Sequence, residues 1–75
     1  MNKELYEALI LKYKAELQEA KVNLKLYFTN SAGVADHPNL VESVEQVFSK
    51  YTEAKEKLKT LQEDYHELIG NERLL

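Results

Sequence analysis

The sequence predicts an all-α fold, an antiparallel two-helix coiled-coil hairpin. Three observations predict it. Apolar residues at Leu40, Val44, Val47, Tyr51, Ala54, Leu58, Leu61, Tyr65 and Leu68 step by four and three without a break. That is a heptad repeat, whose seam needs another helix to cover it. A second such run precedes it, at Tyr6, Ile10, Tyr13, Leu17, Ala20, Leu24 and Tyr27. Between the runs lies a single cluster of turn-forming residues. The chain has only two glycines and one proline, so both runs are free to be long helices.

The first helix is expected over residues 2–30. Ala, Leu, Lys, Glu and Gln dominate it, and no proline interrupts it. The loop is expected over residues 31–37. Gly33 suits the left-handed residue that ends a helix. Pro38 suits the first turn of the next helix, where its missing N–H has no intrahelical partner to lose. Asp36 and Asn39 both qualify as N-cap of the second helix. Asn39 forms a capping-box pattern with Glu42, whereas Asp36 sets Pro38 inside the first turn and is favoured for that reason. The second helix is expected over residues 38–69, stopped by Gly70. A tail over residues 70–75 follows, so residues 1–75 read as one helical hairpin.

Pairing outward from the loop places each residue of the first helix opposite one whose number brings the sum to 67 or 68. Leu24 then meets Val44, Leu17 meets Tyr51, Ala20 meets Val47 and Tyr13 meets Ala54. A ring opposite a methyl is the size alternation that a packed seam needs. Glu16 and Lys50 become flanking partners of opposite sign, while Lys14 and Lys55 are like charges.

Two helices leave half of each apolar stripe wet. Leu9, Leu11, Val22, Leu26 and Phe28 lie off the seam of the first helix, and Val41, Phe48 and Ile69 off that of the second. Burying one Leu or Phe contributes roughly 1.5–3 kcal/mol, and an apolar patch of this size on a monomer marks an interface. A chain of 75 residues without cysteine can take no support from disulfides or a thiolate metal site, which leaves oligomerisation. The expectation is a homo-oligomer, most simply a dimer forming a four-helix bundle. Its interface would use Val22, Leu26, Phe28, Val41, Phe48, Leu9 and Leu11.

The formal net charge of −3 argues against a dedicated nucleic-acid binder. Residues 1–30 carry five Lys and four Glu, while residues 40–69 carry four Lys and seven acidic residues. Lys12, Lys14, Lys21 and Lys25 could touch RNA, but glutamates intersperse them. The asymmetry better serves the orientation of helices or subunits. The opening residues are charged at once and form no apolar run, and no stretch is long enough to span a membrane. Lack of cysteine fits a reducing compartment. The expected setting is cytoplasmic, or the host cytoplasm for a viral protein.

No enzymatic chemistry is expected. Glu63-Asp-Tyr-His66 has the Glu-x-x-His spacing of di-iron carboxylate bundles. The repeat puts Leu61, Tyr65 and Leu68 inward, however, and Glu63 and His66 on the outer face. Asp36-His37 reads as capping chemistry. There is no nucleophile motif and no glycine-rich phosphate loop. No cofactor or metal is therefore assigned. Tyr6, Tyr13, Tyr27, Tyr51 and Tyr65 all fall on the seam. Their hydroxyls need partners or must reach solvent, and a wet core opening at a ligand groove is the alternative.

Gly33-Val-Ala-Asp-His-Pro-Asn-Leu-Val-Glu42, followed by Glu53-Ala-Lys-Glu-Lys-Leu58, resembles small uncharacterised helical-hairpin proteins of tailed bacteriophages. The likeness spans about half the chain and implies a viral accessory or virion-associated protein. Ser43-Val-Glu-Gln-Val47 is similar to the Ser-Gln-Glu-Leu-Asp motif of small sporulation aspartyl-phosphate phosphatases. Only Ser43 and Glu45 align. The motif's Gln and terminal Asp are absent, so no catalytic residue carries over.

The functional expectation is a non-enzymatic interaction or structural module that self-associates. An inhibitor or adaptor docking its loop-end patch on another protein is the alternative. A binder of RNA or a small ligand through the first helix comes third.

Overall fold

The computed structural model describes residues 2–29 and 39–69. Three helices make up the described chain: α1, Lys3–Thr29; α2, Leu40–Glu63; and α3, Tyr65–Leu68. α1 and α2 are long and packed together, as the two heptad runs require. They run antiparallel: Tyr6 reaches Leu61 at one end, and Tyr27 and Leu40 line one groove at the other. The turn end, where α1 finishes and α2 starts, is distinguished below from the open end, where Tyr6 meets Leu61. Gly33, Asp36, His37 and Pro38 of the expected loop lie outside the described residues, as does the tail from Gly70 to Leu75.

α1 starts one residue later than expected because Asn2 caps it. The Asn2 side-chain oxygen accepts from the N–H groups of Glu4 at 2.6 Å and Leu5 at 3.4 Å. Two donors that the helix itself cannot satisfy are thereby taken up. α2 starts at Leu40 rather than residue 38, which puts Asn39, not Asp36, in the N-cap position. The Asn39 carbonyl accepts the N–H of Ser43 at 3.0 Å, while its side chain makes no capping bond. Glu42 in the first turn complements the positive end of the helix dipole.

The second helix is not continuous to residue 69. α2 ends at Glu63, and Asp64 takes φ −98° and ψ 19° before α3 begins. Asp is a weak helix former, and this conformation lies between the helical and extended regions. The break moves the inward face by one residue. Leu68, expected on the seam, is 40% exposed, while Ile69 is 6% exposed. Every other seam residue of both runs is buried or half-buried.

The best-packed part of the described chain is therefore the open end. Tyr6, Leu61 and Ile69 form a cluster there, with Leu9, Ile10, Tyr13 and Tyr65 packed against it. The Tyr6 hydroxyl donates to the Leu61 carbonyl at 3.0 Å. That carbonyl is among the last four of α2, which have no acceptor role inside the helix. Tyr6 and Tyr65 meet edge to face, with centroids 5.0 Å apart at 76°. Farther along the seam only the two small residues Ala20 and Ala54 are buried. Two packed helices make a core so thin that no described side chain is wholly removed from solvent.

Candidate interaction surface

The turn end contrasts with the open end. Tyr27 and Phe28 from the last turn of α1 face Leu40, Val41, Val44 and Phe48 from the first two turns of α2, with Glu45 at the edge. These residues line an open, almost wholly apolar groove. Val41 is 84% exposed, Phe28 71% and Phe48 51%. Phe28 and the pair Val41/Phe48 flank the seam one position off the heptad line on each helix, so covering the seam does not cover them. The Phe48 and Tyr51 rings stack at 6.5 Å and 27°, and Lys55 Nζ lies 5.7 Å from the Tyr51 centroid. An aromatic and cationic ridge thus leads away from the groove along α2.

The groove has charged flanks of opposite sign. Lys25 and Lys21 lie about one and two turns before Phe28 on α1, both exposed. On α2, Glu42 and Glu45 stand beside Val41 on the same surface. The outward faces of the two long helices also differ. α1 exposes Leu5, Leu11, Val22 and Leu26 besides Phe28, whereas α2 exposes no large apolar side chain beyond Val41 and Phe48.

Of the residues expected off the seam, Val22, Leu26, Phe28, Val41, Phe48 and Leu11 are exposed. Leu9 is not part of this surface: it is half-buried against the open-end cluster. Ile69 likewise belongs to the cluster. Leu5 is exposed and was not foreseen. It falls on the outward side of the α1 repeat, three residues before Ala8 and six before Leu11, which is the signal that would have found it.

A second groove, on the opposite side of the seam, is polar. Glu16, Glu19, Asn23, Lys50, Glu53 and Lys57 surround the methyl groups of Ala20 and Ala54. Glu16 and Lys50, expected as flanking partners, do share this groove. Lys57 Nζ lies 5.6 Å from the Tyr13 ring centroid, which gives that seam tyrosine a cationic cover. At the open end the Tyr65 and His66 rings meet edge to face at 5.4 Å. Glu63 and His66 are exposed, and no group of three or more His, Asp or Glu gathers among the described residues. No described helix is long and apolar enough to cross a membrane. Comparison with family models, curated proteins and solved structures returned no match.

Proposed function

We propose that this chain is a non-enzymatic module that works by self-association, two helix pairs closing over the turn-end groove to make a four-helix bundle. The observation that carries the reading is the exposure of Phe28, Val41 and Phe48 around one apolar groove. Clustered rings of this kind are costly to leave in water, at roughly 1.5–3 kcal/mol each, and a helix pair gains most by burying them on a surface of like character. The thinness of the pair supports the same reading, since its own core cannot hide these side chains. The likeness of residues 33–42 and 53–58 to phage hairpin proteins supports an accessory role in a viral setting.

Light scattering coupled to size exclusion tests the proposal. The expected mass is twice the 8.7 kDa of one chain. Phe48→Glu should shift the population toward monomer while the helical circular dichroism persists. A wild-type monomer across the micromolar range would sink the proposal and leave the groove to a different protein.

A further inference from the structure

We infer that the two copies are related by a two-fold axis parallel to the helices, with turn ends together and α1 of each copy lying over α2 of the other. The inference rests on the self-association reading and adds the geometry of the assembly.

The argument comes from the groove's charged flanks. Tyr6 meets Leu61, and residues whose numbers add to about 67 therefore share one height along the pair. By that rule Lys25 comes level with Glu42, and Lys21 nearly level with Glu45; the lysines are exposed on α1, and the glutamates stand with Val41 on α2. Face-to-face packing allows two kinds of two-fold axis. An axis across the helices lays α1 on α1 and α2 on α2, so lysines meet lysines and glutamates meet glutamates. An axis along the helices keeps every height and exchanges the sides. Lys25 then faces the partner's Glu42, and Lys21 the partner's Glu45, each contact occurring twice by symmetry. Glu7 also comes level with the partner's Lys59. Lys14 comes level with the partner's Lys55, a like-charge meeting outweighed by the other three. Opposite charges around an apolar centre fix orientation more than they add affinity.

Two charge-reversed chains test this directly. One carries Lys21→Glu and Lys25→Glu, the other Glu42→Lys and Glu45→Lys. All four sites are exposed, so each chain should stay helical. Each alone should dimerise about tenfold or more weakly than wild type. An equimolar mixture should recover dimer mass, because both kinds of contact become attractive again in the mixed pair. A second measurement reads the axis itself. The chain has no cysteine, so Glu4→Cys, exposed at the open end, offers a unique spin-label site far from the groove. Labels within roughly 25 Å of each other are expected, whereas an axis across the helices at the groove would put them beyond roughly 40 Å. A wild-type dimer whose labels lie far apart, or whose reversed chains each dimerise alone as tightly as wild type, overturns the geometry and leaves self-association standing. A monomeric wild type overturns both.

Discussion

Tyr6 is the residue on which most of the order depends. Its ring fills the open-end cluster and its hydroxyl satisfies a carbonyl that α2 leaves without an intrahelical partner. Among the described residues no buried side-chain polar atom lacks a hydrogen bond, and at Tyr6 this is achieved by a contact across 55 positions of sequence. Tyr6→Phe keeps the ring and removes the donor. It should lower unfolding free energy by about 1 kcal/mol, as a lost neutral hydrogen bond does. Urea melts followed by circular dichroism would show a lower midpoint at unchanged slope. At the turn end the same scale carries the opposite lesson: Phe28, Val41 and Phe48 are large side chains whose local surroundings give them little to hold.

At the scale of elements, the break at Asp64 makes a sharp prediction. An unbroken helix would make Leu68 the costlier residue to truncate, because the heptad line runs through it. The observed turn reverses the order. Ile69→Ala should cost roughly 2–3 kcal/mol by opening a cavity beside Tyr6 and Leu61. Leu68→Ala should cost less than about 1 kcal/mol, since its surface is already partly wet. Equal losses in thermal or chemical unfolding would argue for a continuous helix instead. The four-and-three spacing was enough to read both long helices, their antiparallel register and fifteen of the sixteen seam positions. It could not show the break, because Leu68 and Ile69 are both bulky and apolar, and only the path of the backbone at Asp64 decides which turns inward. Asn2 was legible as a possible cap by its residue type, but its bonds to Glu4 and Leu5 depend on local geometry. The groove was foreshadowed by Phe28, Val41 and Phe48 falling beside the seam. Leu9, similarly placed, is instead half-buried against the open-end cluster and shares a groove with Tyr13, Lys57, Thr60 and Leu61.

Among the described residues the molecule is one helix pair thick, well packed at one end and with an open groove at the other. Its stability should therefore depend on concentration. Raising the chain from micromolar to hundreds of micromolar should raise the melting temperature, because association adds burial that one copy cannot supply. A melting temperature independent of concentration would mean that the rod stands alone. Phe48→Glu should abolish the dependence, and Leu11→Glu should weaken it less, since Leu11 lies well below the groove on the outward face of α1.

The contact between Tyr6 and Leu61 also has a mechanical meaning. Residues 2 and 69 emerge at the same pole, and the hydrogen bond and ring cluster there act as a clasp between them. A tensile load applied through both strands of the chain at that pole meets this clasp first. It would peel α1 from α2 like a zipper, one helical turn at a time, and not shear all the contacts together. The last part to separate would be the opposite pole, where the groove lies. Traction on the chain would thus spare the groove proposed to join the copies until the rod is nearly open.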